Sequence, residues 1–334
     1  MLFDMIRAQE GPVSILKRVL DHGRVPTAYL FTGPPGCGRM MAALATACSL
    51  NCQSGAIACG TCPSCLLYAV GNHPDLYVIR LPEGKRQIVI EQIREEILGR
   101  AYLKPMSGST STFIVEDAHL LNMNASNAFL KTLEEPPQTS HFILISPDRD
   151  SVLPTISSRC QTLAFSPLPR QVLKDILVSK GIREEEASLL AAMAKGSVKK
   201  ALAYHSTGAL QDLADEFKPL SSLHDLGEGQ ILDLAQRWGR NRQEALGMLE
   251  FMVQWYRDMM ILVEGAPEDQ VIHVAHLQEL KKGAARIGGL NLSRILESVE
   301  DAREAIEGNT NVQLTLDTLL LRVRNHTSPT EKSA

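Results

Sequence analysis

The chain has 334 residues, 44% of them hydrophobic and 22% charged, with a formal net charge of −4 and a pI near 6.2. This is enough length and apolar content for two or three packed domains, and the acidic balance gives no bulk sign of a nucleic-acid binder. No run of about 18 apolar residues marks a membrane span, and Met1-Leu2-Phe3-Asp4-Met5 lacks the basic and apolar regions of a secretory leader. A cytoplasmic chain is expected, with its seven cysteines serving as thiols or metal ligands rather than disulfides.

Residues 10–22 place Val13, Leu16, Val19 and Leu20 at helical spacing. Ala28-Tyr29-Leu30-Phe31 predicts a short apolar strand running into Gly33-Pro34-Pro35-Gly36-Cys37-Gly38-Arg39-Met40, and residues 39–50 predict a small-residue helix behind it. Strand, glycine loop and helix are the context of a phosphate-binding loop, G-x-x-x-x-G-K-[ST]. Its glycines let backbone N–H groups surround phosphates at a helix N-terminus. The Lys reaches the outer phosphates, and the hydroxyl ligates Mg²⁺. Here Arg39 and Met40 stand at those two positions. A planar guanidinium does not replace a compact ammonium, and a thioether is a poor ligand for oxygen-seeking Mg²⁺. Gly33, Gly36 and Gly38 could still cradle phosphates, so binding of ATP or ADP without hydrolysis stays open.

Cys52, Cys59, Cys62 and Cys65 follow as Cys-x6-Cys-x2-Cys-x2-Cys, with Gly55, Gly60 and Pro63 supplying turns. Four thiolates suit Zn²⁺ in a closed, tetrahedral, structural site. A redox pair at Cys62 and Cys65 is the competing reading, and Cys48 is an alternative first ligand. His73, followed by Pro74, reads as a turn residue. Asp75 to Arg80 predicts a second strand, Pro82-Glu83-Gly84-Lys85 a turn, and Ile88, Ile93 and Ile97 an amphipathic helix.

Phe113-Ile114-Val115 and Phe142-Ile143-Leu144-Ile145 are apolar runs typical of buried parallel strands, and their alternation with helices implies a wound α/β sheet. The first run ends in Glu116-Asp117, the shape of a Walker B strand with its two acids in reversed order. A catalytic group displaced by about 1 Å can cost about 10²-fold in rate. Beyond Pro167 and Pro169 the strand signal stops. Gln171 to Tyr204 reads as a compact helical unit, and the chain is helical again from about residue 216. Leu246, Leu249, Val253, Tyr256, Met260 and Val263 give one apolar helix face, which is either internal core or an oligomer contact. The polar stretch Asn325 to Ala334 is expected to fray.

Two further blocks make a resemblance specific. Asn127-Ala128-Phe129-Leu130-Lys131-Thr132-Leu133-Glu134-Glu135-Pro136-Pro137 and Leu153-Pro154-Thr155-Ile156-Ser157-Ser158-Arg159-Cys160 resemble the AAA+ subunits of bacterial DNA polymerase III sliding-clamp loaders. The similarity runs from about Gln9 to Phe165, knuckle included, and continues more weakly through Gly196-Ser197-Val198-Lys199-Lys200-Ala201-Leu202. In the C-terminal part only Asn309-Thr310-Asn311-Val312-Gln313-Leu314 matches.

The resemblance implies an AAA+ core over residues 1–166 with a zinc insert at about 50–72. An all-α lid over 167–215 and an all-α collar over 216–334 would follow. It implies a hetero-pentameric ring with motor (gamma/tau) and delta subunits, acting on the sliding clamp and primer-template DNA. Motor subunits of that family hydrolyse ATP, whereas its delta-prime type carries a degenerate loop and acts as a stator. Both kinds project the Arg of a Ser-Arg-Cys motif into a neighbour's ATP site, which makes Arg159 an arginine finger acting in trans. The departures are consistent with a stator. Ser146-Pro147 stands where motor subunits tend to carry paired threonines, Lys199 replaces the usual second-sensor Arg, and the six-residue first cysteine spacer is shorter than the family's. A weakly active motor subunit is the alternative.

Overall fold

Five stretches pair side by side into one parallel sheet, in the order β2-β3-β4-β1-β5. They are β1 (Ala28–Thr32), β2 (Leu76–Ile79), β3 (Ser111–Val115), β4 (Ser140–Ser146) and β5 (Gln161–Ala164). β1 and β3 are buried at every position, as parallel strands covered on both faces must be. Edge strand β5 buries only Leu163 among its four residues, so it carries no apolar run that would announce it in the sequence. Its pairing with β1, Tyr29 opposite Gln161 and Phe31 opposite Leu163, is what defines it.

The computed structural model describes residues 2–206, 220, 222–308 and 310–327. It divides into two units, Met1–Leu202 and Ala203–Ala334. The expected boundary between residues 215 and 216, Asn309, and most of the expected frayed tail lie outside the described residues.

In the first unit, α1 (Glu10–Asp21) and α2 (Arg39–Leu50) cover one sheet face, packing Leu16, Leu20, Ala42 and Ala45 around Phe31 and Ile143. The other face is covered by an irregular helix, α4, from Ile90 to Ala101, and by α5 (Met123–Glu134). There Phe129 meets Phe142 edge-on at 5.5 Å. Ile93 and Ile97 lie in α4 as expected, but Ile88 precedes it. Its backbone bridges Leu121 and accepts from the Asn122 N–H, so the side chain reaches the core from extended backbone. The short helix α3 (Pro63–Ala69) carries the last of the clustered cysteines between α2 and β2. After β4 come α6 (Pro154–Ser157) and then three helices, α7 (Arg170–Ser179), α8 (Glu184–Met193) and α9 (Val198–Ser206).

The strand order decides where chemistry can occur. β4 lies between β1 and β3, so three strand ends share one edge: the glycine loop, Ser146-Pro147 and Glu116-Asp117. Ligands of open α/β sheets bind beyond the carboxyl ends of the strands.

The second unit is helical among its described residues. α10 (Glu228–Trp238) packs on α14 (Val312–Thr327), α14 on α13 (Gly289–Glu307), and α13 on α11 (Arg242–Val263), which also meets α12 (Leu277–Ile287). The core-facing stripe of α11 runs through Ala245, Leu249, Met252, Tyr256 and Met259. The expected stripe is therefore offset, with Leu246, Val253 and Met260 half-buried and Val263 exposed. Polar Asp258 is also completely buried on this helix. It accepts the N–H groups of Ile272 and His273 and the His273 ring at 2.9–3.0 Å. No helix among the described residues is long and apolar enough to cross a membrane.

Candidate functional site

The glycine loop is pinned on several sides by protein. The Gly33 N–H donates to the Pro147 carbonyl at 2.8 Å, tying the loop to the end of β4. Arg39 opens α2 and is only 6% exposed. Its Nη1 donates to the carbonyl of Ser146, whose own hydroxyl lies 2.7 Å from that of Ser151. Burial pulls the Arg39 guanidinium below the ordinary arginine range, opposed by nearby Cys37, Asp117 and Glu116. An arginine starts so high that it stays cationic. The cation of this loop thus serves as a strut between α2 and β4.

The third helical segment closes on the same loop. Ser197 Oγ donates to the Pro35 carbonyl at 2.5 Å and accepts from the Lys200 N–H at 3.1 Å. One hydroxyl therefore caps α9 and fastens it to the loop. A Cβ at Gly36 would sit 2.5 Å from the Lys199 backbone nitrogen, and one at Gly33 would sit 2.2 Å from the Phe165 carbonyl oxygen. Close backbone approach, as well as positive φ, demands glycine at both positions. It is the backbone of Lys199 that meets the loop; the residue itself is exposed.

Beyond β3, Glu116 accepts from Arg80 Nε at 2.9 Å, so its charge is already engaged by the end of β2. Asp117 occupies the left-handed region at φ 57°, which is uncommon for a non-glycine residue. Arg159 follows α6. Its Nη1 donates to the Thr155 carbonyl at 2.9 Å, and its Nη2 donates to Glu134 Oε1 at the end of α5.

The structure gathers Cys52, Cys59, Cys62 and Cys65, with all four sulfurs within 4.8 Å of one another. Cys59 and Cys65 are 3.9 Å apart. Thiolates each ~2.3 Å from one tetrahedral centre would be about 3.8 Å apart, so the donor set fits a metal ion such as zinc. Backbone N–H groups already point at the sulfurs: Cys59 to Cys52 at 3.4 Å, Cys62 to Cys59 at 3.3 Å, and Cys65 to Cys62 at 3.5 Å. Hydrogen bonds from the Thr61 hydroxyl, the Thr61 N–H and the Cys62 N–H pull the Cys59 thiol down to about 5. Burial pushes Cys65 up, which a bound dication would reverse. Cys48 is buried beside Cys65, its thiol pushed up to about 11, and it lies outside the group of four.

The family model described as DNA polymerase III, delta subunit, matches residues 8–169. The delta′ subunit of Bacillus subtilis is 28% identical over 96% of this chain and 98% of its own length. A gamma/tau subunit of Mycobacterium bovis is 29% identical over 96% of this chain, which spans 60% of that longer relative. Over nearly its whole length the chain is similar to DNA polymerase III clamp-loader subunits. A delta′ subunit of Pseudomonas aeruginosa is 34% identical over 59% of this chain and 61% of its own length. The matched region is the parallel sheet with its flanking helices and cysteine knuckle.

Several residues that build these sites were not singled out by sequence. Ser197 carried a usable signal, being a hydroxyl residue directly before a helix. Asn51 did not. Its amide oxygen accepts from the N–H groups of Ser109 and Thr110 at 2.9 and 3.0 Å, while its Nδ2 donates to the Tyr68 hydroxyl at 2.9 Å. Asn51 thereby joins the end of α2 to the knuckle helix α3 and to the loop before β3. Arg80 and Glu134 are likewise revealed only by their partners, each more than twenty positions away in sequence.

Proposed function

We propose that this chain is the non-hydrolysing, delta-prime-type subunit of a DNA polymerase III clamp loader, and that it lends Arg159 to the ATP site of a neighbouring motor subunit. The observation that carries the reading is Arg39, whose guanidinium is buried and bonded to the Ser146 carbonyl where a motor needs a free phosphate-binding cation. The engagement of Glu116 by Arg80 points the same way, since an acid paired with arginine is a poor Mg²⁺ ligand.

In this reading the gamma/tau-type and delta-type subunits are ring partners in a hetero-pentamer, and the clamp and primer-template DNA are reached through the complex. The ring works in the cytoplasm. The core, the lid over 167–215 and the helical collar over 216–334 are its working parts. Cys52, Cys59, Cys62 and Cys65 hold a structural Zn²⁺, which stabilises the knuckle and takes no part in phosphoryl transfer. Gly33, Gly36 and Gly38 retain the backbone of a phosphate cradle, with Arg39, Glu116, Asp117 and Lys199 as the altered remnants of a nucleotide site.

A finger's charge stabilises the phosphoryl transition state by a factor of about 10³–10⁵. The purified chain alone should therefore release no phosphate from ATP above background, and Arg159→Ala should leave assembly intact while the reconstituted loader loses at least the ATPase share of the adjoining site. Turnover on the order of 1 s⁻¹ by the isolated chain, an ordinary enzymatic rate, would defeat the stator reading. Undiminished loader ATPase with Arg159→Ala would defeat the finger.

A further inference from the structure

Of the three contacts of Arg159 among the described residues, two are local, from Nη1 to the Thr155 carbonyl and to the Ser158 hydroxyl at 3.5 Å, and one is exchangeable. The Thr155 carbonyl, 2.9 Å from Nη1, is backbone in the turn of helix that carries the arginine, and it moves with it. Glu134 is different. It is the last residue of α5, its side chain is 48% exposed, and its carboxylate makes no other hydrogen bond among the described residues. A group that orients a catalytic side chain must itself be locked, to within about 0.5 Å. Glu134 is not. A half-exposed carboxylate with one partner cannot set an orientation, but it can neutralise a charge and then let go, because ion pairs of this exposure are weak.

We propose that Glu134 is an exchangeable counter-ion that parks Arg159, while Thr155 holds the arginine's direction. This rests on the finger reading given above. A guanidinium bridged to a carboxylate presents little net charge to other anions, so in the free subunit Arg159 is masked. A neighbour's ATP offers a terminal phosphate carrying more charge than one carboxylate and able to take two N–H donors of the fork. The exchange takes place as charge develops in the transition state, where Nη2 leaves Glu134 for phosphate oxygen and Nη1 keeps its bond to Thr155. The exchange itself changes no covalent bond and moves no proton.

The parked and released states differ by the energy of one weak pair, so removing the carboxylate raises the released fraction only modestly. The test uses the complete loader with clamp and primed DNA, reading the Arg159-dependent ATPase as wild type minus Arg159→Ala. Glu134→Gln keeps the shape and removes the charge. It should raise the Arg159-dependent kcat about two- to fivefold, because an interaction made only in the transition state acts on kcat. The KM for ATP and the thermal midpoint of the chain should not change. With Arg159→Ala already present, Glu134→Gln should do nothing. A lower or unchanged Arg159-dependent kcat, or an equal change in the Arg159→Ala background, overturns the proposal while leaving the finger standing. If Arg159→Ala alone leaves the rate intact, the finger falls first and the counter-ion with it.

Discussion

At the scale of single residues, Asp75 shows how an ionised group is kept inside this protein. It is completely buried, and its oxygens accept the N–H groups of Met106, Ser107 and Gly108 at 2.5–2.9 Å. Burial alone would raise its carboxyl, but the three amides and nearby His73 overcome that and hold it below the usual carboxylate range. His73 is held below its ordinary value by burial, and its Nδ1 accepts the Asp75 N–H at 3.2 Å, which requires a neutral ring. Both groups release protons more readily when folded than when unfolded. Their stabilisation is therefore complete above the unfolded values, about 6.5 for His and about 3.9 for Asp, and is lost as pH falls through the lower folded ones. Asp75→Asn should cost about 2–4 kcal/mol near neutral pH, because its NH₂ would face the N–H groups of Ser107 and Gly108. Denaturant unfolding should show that deficit narrowing below about pH 4, where the wild-type carboxylate also becomes protonated. A deficit constant from pH 7 to 3 would refute this account. Nothing in the sequence marked Asp75, since its partners sit in a loop some thirty positions later and only the fold brings them together.

Among elements, the knuckle couples most widely to its surroundings. Ser49 in the last turn of α2 accepts the Ala58 N–H at 3.0 Å, Asn51 bonds Tyr68, and Ser64 meets the His73 ring at 3.2 Å. Removing a metal from such an insert should loosen α2 and the approach to β2 as well as the cysteine loop. The chain should carry about one equivalent of zinc after dialysis, and chelation should lower its melting temperature on the order of 10 °C. Less than half an equivalent, or an unchanged melt after chelation, would contradict a structural metal. The cysteine spacing made this element legible because two consecutive Cys-x2-Cys steps constrain three sulfurs locally, with Cys52 a six-residue spacer away. β1, β3 and β4 were legible for a related reason, as continuous apolar runs that suit strands covered on both faces. β5 was not, because an edge strand with one buried side chain has no pattern to read. The offset on α11 has another cause. That helix buries Phe251, Trp255 and Asp258 in addition to its main stripe, so a single-face periodicity misplaces the contact.

For the whole molecule, the division into two units separates the glycine loop and the knuckle from the later helices. The sheet, both of its covering layers, the cysteines, Arg159 and the Ser197 cap all precede Leu202. The second unit has its own core, built from Leu249, Trp255, Ile295, Val299 and Leu320. A groove of about 370 Å³ beside Leu314, bounded by α13 and α14, leaves that leucine 65% exposed. If the helical collar is what joins the ring, the two units should be separable in function. A chain ending at residue 206 should unfold cooperatively, since each unit has its own buried apolar core. It should also bind zinc like the full chain. Mixed with motor-type and delta-type subunits, it should fail to co-elute in size-exclusion chromatography, whereas the full chain forms a stable complex. Co-elution of the truncated chain at full stoichiometry would move the assembly surface into the first unit and remove the collar from the proposed function. A truncated chain that bound zinc but melted without a cooperative transition would show instead that the two units depend on each other to fold.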